Sequence, residues 1–302
     1  MTRTVLIVGC GDIGSRVARL ERAEGHGVSG LVRSAQTAAR LAAQGIRPVA
    51  GDLDKPDSLA GLKGGWATLY YLAPPPASGA DDPRLAALLD GLPARQLPDR
   101  VVYVSTSGVY GDCGGDWVGE DRPPHPQTGR SRRRRAAEEA LTAWSRRHGV
   151  TAVILRVPGI YGPGRLPLDR LRAGVPVVRE DESPYSNRIH ADDLAEVCFA
   201  AGWRPAAEGV YNVSDGHPTT MTDYFYRVAD RFGLPRPPAI SLEEARRVLS
   251  PAMLSFLEES KRLDNGRMTR ELRPKLFHPD LESGLAACFN ASGPALPGIS
   301  AR

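Results

Sequence analysis

Apolar and polar residues alternate in short blocks along the first half of the chain, and the period of each block identifies the element it builds. Thr4-Val5-Leu6-Ile7-Val8 is a continuous apolar run closed by glycine, which predicts a strand buried on both faces. From Ile13 to Glu24 the apolar positions take helical spacing and stop at Gly25. Val28 to Val32 predicts the next strand, Thr37 to Gln44 a helix ending at Gly45, and Arg47 to Ala50, Thr68 to Leu72 and Val101 to Ser105 three further strands. A helix is expected from Asp82 to Leu92. Between Ser131 and His148 the residues Ala137, Ala140, Leu141, Trp144 and His148 share one helical face, with Arg134/Glu138 and Arg135/Glu139 as i,i+4 pairs, and Gly149 ends the pattern. After a β-rich run from Thr151 to Arg156 the pattern loosens into Gly/Pro-rich stretches, with helices expected at Asp192 to Ala201 and Thr222 to Phe232. Alternation of this kind builds βαβ units, and hence an α/β fold on a parallel sheet.

Composition sets the class. A chain of 302 residues with 41% hydrophobic and 25% charged residues is an ordinary globular one, with room for a large α/β domain and a smaller lobe. No apolar run approaches a bilayer span, and the chain enters its first strand almost at once, without space for a cleavable leader; a cytoplasmic protein with no membrane association is expected. Cys10, Cys113, Cys198 and Cys288 stand far apart and form neither C-x-x-C nor a Cys/His cluster, so structural thiols and no metal are expected. The net charge of +4, from Lys+Arg 39 against Asp+Glu 35, is close to balance and argues against a nucleic-acid partner. Its make-up is unusual: Lys55, Lys63, Lys261 and Lys275 are the only lysines, so nearly all positive charge is arginine.

Candidate chemistry begins at the first turn. Gly9-Cys10-Gly11-Asp12-Ile13-Gly14 is G-x-G-x-x-G set directly between a predicted strand and a predicted helix. In that setting Gly9 permits a tight turn, Gly11 lets a pyrophosphate approach the backbone, Gly14 lets the helix pack closely on the strand, and the helix N-terminus supplies N–H donors. The motif predicts a dinucleotide site, with Asp12 and Ile13 at the cofactor, on a Rossmann-type doubly wound parallel sheet that carries a small C-terminal substrate lobe. The expected division is residues 1–165 as the dinucleotide-binding domain, 166–290 as returning strands and helices plus the lobe, and 291–302 as a flexible tail. Where an acidic residue would bind the ribose 2′-hydroxyl, after the second strand, the chain has Arg33-Ser34. A cation and a hydroxyl suit a 2′-phosphate, so NADP is preferred over NAD, unless Arg33 is a solvated loop residue. Asp52 and Leu53 stand where the adenine would lie, or Asp52 serves the turn before the next helix.

Several later segments resemble the extended short-chain dehydrogenase/reductase family, which contains nucleotide-sugar epimerases and dehydratases. Val101-Val102-Tyr103-Val104-Ser105-Thr106-Ser107-Gly108-Val109-Tyr110-Gly111 is similar to the family's strand followed by S-S-x-x-V-Y-G. Ile154-Leu155-Arg156 through Tyr161-Gly162-Pro163-Gly164 is similar to L-R-x-x-x-x-Y-G-P-G, Ile189-His190 through Ala195 to I-H-x-x-D-x-A, and Tyr211-Asn212-Val213 through Gly216 to Y-N-V-x-x-G. The segments come in the family's order over residues 1 to 235. The resemblance implies hydride transfer on a small-molecule substrate as an epimerase, dehydratase or carbonyl reductase, cofactor contacts at Ala73, Pro74 and Pro158, and a possible homodimer.

The family's relay is a Ser/Thr with a Tyr-x-x-x-Lys, whose spacing lets an ammonium on the same helical face lower the phenol pKa. Thr106 aligns with the hydroxyl, or it caps a turn at the strand end. Matching Gly129-x-Ser131 to the family's Y-G-x-S-K puts Thr128 and Arg132 at the other two positions; matching Glu138 to the family glutamate puts Arg130 and Arg134 there. Neither register contains the phenol, and no lysine stands between 63 and 261. Arginine can hold a ribose or phosphate, but its pKa above 12 makes it a poor proton carrier. Tyr110, Tyr161 and His190 lie in segments expected to converge on the cleft, as packing, substrate-contact or acid–base residues. Arg165 and Arg188 could neutralise an anionic substrate. A redox-inactive NAD(P)-binding sensor is the alternative function, and the Arg130 to Arg135 run reads as a helix face answered by Glu138 and Glu139 rather than a nucleic-acid patch.

Overall fold

The computed structural model of the protein describes residues 3–291. Seven strands form the central sheet: β1 (Thr4–Val8), β2 (Gly27–Val32), β3 (Arg47–Ala50), β4 (Thr68–Tyr71), β5 (Arg100–Thr106), β6 (Thr151–Val157) and β7 (Gly209–Asn212). Their spatial order is β3-β2-β1-β4-β5-β6-β7, every neighbouring pair parallel. The chain winds outward from β1 to β3, crosses back to β4 and winds outward again. The reversal between β1 and β4 is the switch point at which doubly wound sheets bind ligands.

Both faces of a parallel sheet must be covered, which is why its strands read as unbroken apolar runs. Val5 and Ile7 of β1 point into a core shared with α1 (Asp12–Ala23), α2 (Ala35–Ala43) and α5 (Ala191–Trp203). Leu6 and Val8 point the other way, into a core shared with α3 (Pro83–Asp90) and α4 (Gly129–His148). The buried carboxylate of Glu21 on α1 ties the first layer together: it accepts hydrogen bonds from the Tyr70 hydroxyl of β4 and from Trp203 Nε1 of α5, at 2.9 Å. On α4 the apolar stripe is narrower than the spacing predicts. Ala137, Leu141 and Trp144 are buried, whereas Ala140 and His148 are exposed. The rest of the inward face belongs to Ser131, Arg133 and Glu138, polar groups that each make at least one hydrogen bond there, although Arg133 Nε is buried without a partner.

Residues beyond 158 divide their work. α5 and β7 return to the central sheet, while short strand pairs, α6 (Met221–Arg231) and α7 (Leu281–Ala291) build a second lobe around Tyr161, Leu171, Phe225, Val228 and Leu285. Of the expected tail at 291–302, Ala291 ends α7 and residues 292–302 lie outside the described residues. No helix among the described residues is long and apolar enough to cross a membrane.

Candidate functional site

Parallel pairing fixes where the chemistry collects, because every strand ends on the same side. Val8 pairs with Leu31 and Tyr71, Val32 with Ala50, and Thr106 with Val157. One sheet edge therefore gathers Gly9, Arg33, Asp52, Ala73, Thr106 and Pro158. The turn from β1 to α1 depends on glycine at two points. Gly9 has φ +101°, and a Cβ there would lie 2.7 Å from the Ala73 nitrogen; a Cβ on Gly14 would run into the Gly9 carbonyl. Gly11 differs, since a Cβ there would meet nothing within 4 Å. Gly11 is also the N-cap of α1, and no side chain caps that helix. Its first N–H groups and the positive end of its dipole are thus left for an anion, as a dinucleotide pyrophosphate requires. These residues fit the cofactor that the motif implies.

The remaining cofactor candidates sit around this turn. Arg33 is exposed at the end of β2; Ser34 caps α2, accepting from the Thr37 nitrogen at 3.2 Å. Asp52 closes its own turn by accepting from the Asp54 nitrogen at 3.1 Å, and Leu53 packs on the core. Ala73 is buried against Gly9, and the carbonyl of exposed Pro74 accepts from Arg84 at 3.2 Å. Ile13 packs partly buried on the first core. The Asp12 carboxylate is shared: Arg16 Nε donates to it at 2.8 Å and Arg165 Nε at 2.7 Å, and Arg16 also pairs with Asp192. Partial burial works to raise the Asp12 pKa, but the bonds from Arg165 and Arg16 outweigh it and hold it below the ordinary carboxylate value.

Beyond β5 and β6 the edge opens into a cleft of about 670 Å³ whose wall includes Thr106, Arg130, Arg134 and Pro158. Thr106 both lines the cleft and caps the following turn, its hydroxyl accepting from the Gly108 nitrogen at 3.2 Å. On α4 the structure differs from the Thr128/Arg132 register. Thr128 is the N-cap, locked in a capping box with Ser131, and Arg132 is exposed and absent from the cleft wall. Arg130 and Arg134, one turn apart, face the cleft instead. Arg134 donates to the Ala73 carbonyl at 3.3 Å and the Tyr103 hydroxyl at 3.2 Å; the Arg130 guanidinium lies 5.4 Å from the Phe256 ring centre.

Glu138 sets this register. It is 1% exposed and accepts from Arg156 Nε and Nη2 at 3.1 and 2.8 Å and from the Ser105 hydroxyl at 2.6 Å. Arg156 stacks 4.6 Å from the Tyr110 ring centre, and the Tyr110 hydroxyl donates to Asn212 at 2.8 Å. The fork-to-fork pair thus clamps α4 to β5 and β6 directly behind Thr106, and Tyr110 is spent on it.

Tyr161 is 2% exposed, at the base of the second lobe, with its hydroxyl donating to the Asp280 carbonyl at 3.2 Å; burial pushes its pKa far up. It packs in the core of that lobe. His190 is also buried, its Nδ1 accepting from the Asp192 nitrogen at 3.2 Å and capping α5. His190, Asp192 and His278 are close enough together to suit an ion. However, His190 Nδ1 is committed to that cap and Asp192 to Arg16. Cleft residues that escaped the sequence reading include Tyr185, Glu259 and Lys261. Lys261 is 5% exposed and its Nζ donates to Glu259 at 2.7 Å. It reaches the cleft because Asn187 holds its carbonyl at 3.0 Å, a contact across 74 residues with no local signal.

Burial, with the charge of His278 adding to it, pushes His190 down to about 4 from 6.5. The unfolded chain therefore takes up this proton first. Stability from keeping the ring neutral is complete above pH 6.5 and is lost as pH falls to 4, a change of about 3 kcal/mol. Asp215, pushed up by burial to about 6 from 3.8, takes its proton first in the folded state and offsets most of the loss, about 3 kcal/mol over nearly the same range. His190→Asn, which keeps an acceptor for the helix cap, leaves the Asp215 contribution unopposed, so the variant should gain stability relative to the wild type between neutral pH and about pH 4. Urea unfolding at about neutral pH and about pH 4 checks this, and an unchanged dependence would refute the assignment to His190.

A glycine turn on an uncapped helix, opening at the switch point of a doubly wound parallel sheet, defines a Rossmann-type dinucleotide-binding fold. Within that class the chain belongs to the NAD dependent epimerase/dehydratase family, whose model matches residues 5–214. It is 29% identical over 197 residues to Protein YeeZ of Escherichia coli (strain K12), a match that covers 64% of this chain and 63% of YeeZ. It is similar to a conserved protein of unknown function from Silicibacter pomeroyi DSS, with 31% identity and TM-score 0.81, covering 97% of this chain and 100% of that one. MoeE5, solved in complex with UDP-glucose and NAD, shares the fold at 23% identity and TM-score 0.72, covering 96% of this chain and 98% of that one.

Proposed function

We propose that the chain is an NAD(P)-dependent oxidoreductase or epimerase that moves a hydride between a nicotinamide and an oxygen-bearing carbon of a small molecule held in the cleft. The observation that carries this reading is the uncapped α1 N-terminus and open Gly11 position on the same sheet edge as Thr106 and the cleft. The cofactor, when bound, supplies the hydride acceptor or donor. This chain's own residues bind and orient: the α1 N–H groups take the pyrophosphate, Arg134 stands by Ala73 at the end of β4, and Thr106 presents a hydroxyl to the substrate oxygen. Proton exchange falls to groups in the opposite wall, the Tyr185 phenol and the Lys261–Glu259 pair. The NAD in the MoeE5 complex is consistent with the cofactor class.

Arg33 and Ser34 favour NADP over NAD. In a fluorescence titration the wild type should bind NADPH more tightly than NADH, and Arg33→Asp should move the ratio toward NADH by roughly tenfold to a hundredfold, the worth of one charge-assisted hydrogen bond. An unchanged ratio would remove the 2′-phosphate role. The pair of arginines that α4 turns to the cleft favours a second reading, a redox-inactive NAD(P)-binding regulator. NADPH consumption with any member of a carbonyl panel separates the two: turnover supports the enzyme, and binding without turnover supports the regulator.

A further inference from the structure

The cleft continues inward past Gly159, Ile160 and Met221 into a chamber of about 450 Å³ lined mainly by apolar side chains, among them Pro167, Phe225, Leu249 and Phe256. Two arginines share this apolar wall. Arg188 is 4% exposed; its Nη1 donates to the Thr219 hydroxyl and its Nη2 to the Ser186 hydroxyl, both at 2.7 Å, and it lies 4.5 Å from the Tyr224 ring centre. Arg170 lies 4.3 Å from the Phe225 ring centre and donates one hydrogen bond, to the Pro176 carbonyl at 3.1 Å, while its Nε is buried without a partner. Among the described residues no carboxylate comes within 4.0 Å of either guanidinium, whereas buried Arg156 has Glu138 at 2.8 Å. Asp215, the acid that senses Arg188, gives one oxygen to the His217 nitrogen and leaves the other buried without a partner.

A buried guanidinium is expected to carry a counter-charge, since hydroxyls and ring faces offset only part of its lost hydration. No carboxylate among the described residues pairs directly with either cation facing the chamber, and Arg188 feels Asp215 and Asp223 only at a distance. We propose that the inner chamber is an anion subsite, which takes the carboxylate or phosphate of a substrate whose remaining body is apolar and whose reacting carbon extends toward Thr106. The inference rests on the hydride-transfer reading for the role of Thr106, but the anion subsite stands on Arg188 and Arg170 alone. A planar guanidinium meets a carboxylate or phosphate through parallel N–H donors, and the surrounding apolar wall favours a hydrocarbon or aromatic body over a polyhydroxylated one.

Calorimetric titration of the full chain without nucleotide tests this, with phenylpropionate, phenyl phosphate, neutral phenylpropanol, inorganic phosphate and UDP-glucose as probes. One of the two aromatic anions should bind at least tenfold tighter than phenylpropanol, inorganic phosphate and UDP-glucose; which one does so distinguishes a carboxylate from a phosphate substrate. Arg188→Gln should abolish that preference while leaving phenylpropanol binding unchanged. Arg170→Gln, at a half-buried position, gives the same reading with less demand on the fold. Equal binding of phenylpropanol and the anions, tightest binding of UDP-glucose, or an anion preference that survives both substitutions would overturn the proposal. NADPH titration alongside keeps the readings apart: retained NADPH binding without anion preference sinks only the anion subsite, and anion preference without nucleotide binding sinks only the hydride-transfer reading.

Discussion

Replacing Glu138 with alanine is expected to destabilise the fold by about 3–5 kcal/mol, because it leaves the Arg156 guanidinium buried and uncompensated. The neighbouring pair supplies the control. Arg135 and Glu139 are also 2.8 Å apart, but Glu139 is 61% exposed, so Glu139→Ala should cost at most about 0.5 kcal/mol. Chemical denaturation of the two variants reads the difference directly. Because Glu138 also fixes Ser105, one residue from Thr106, the loss should reach the cleft as well as the core. Replacing both partners with apolar residues, Glu138→Leu with Arg156→Met, should recover much of the stability, since no charge is then stranded. Equal, small costs for Glu138→Ala and Glu139→Ala would show that the clamp is not what holds α4 to the sheet.

Gly11→Val is expected to reduce NADPH affinity on the order of a hundredfold with the melting temperature unchanged. The side chain would project into open space, so the protein has nothing to repack, but the nucleotide would lose its approach to the α1 N–H groups. Two charge-assisted hydrogen bonds at about 1.5 kcal/mol each account for that factor. Gly14→Val is the opposite case. There the new side chain meets the Gly9 carbonyl, and the turn itself must give way. Parallel melting and titration curves for the two variants check the distinction. Wild-type affinity in Gly11→Val would show that the turn does not hold a pyrophosphate.

What the sequence made legible was local. β1 and β2 appear as unbroken apolar runs, and Gly9 to Gly14 is recognisable because the turn's geometry and its composition are the same fact. The arginine run of α4 was not legible in this sense. Five arginines in six positions, broken only by Ser131, carry no periodicity, so nothing between 130 and 135 reveals which two face the cleft; that is decided by burial of Glu138 on Arg156, across 18 residues. Thr128 shows a related limit, since alignment can set it at the family's tyrosine position until the capping box is seen to engage its hydroxyl. Lys261 and Glu259 reach the cleft only through the pairing of their segment with Asn187, a tertiary contact. That Arg188 has hydroxyls and a ring beside it rather than a paired carboxylate is likewise a property of what surrounds it, and a residue list contains no surroundings.

Arg165 stands in the cleft wall yet gives its guanidinium to Asp12 of the glycine turn. In the proposed reading the nucleotide and substrate positions draw on one cation, so filling either changes the electrostatic work of filling the other. Thermodynamic reciprocity then fixes the form of the coupling: whatever factor a bound nucleotide imposes on substrate affinity, bound substrate imposes the same factor on nucleotide affinity.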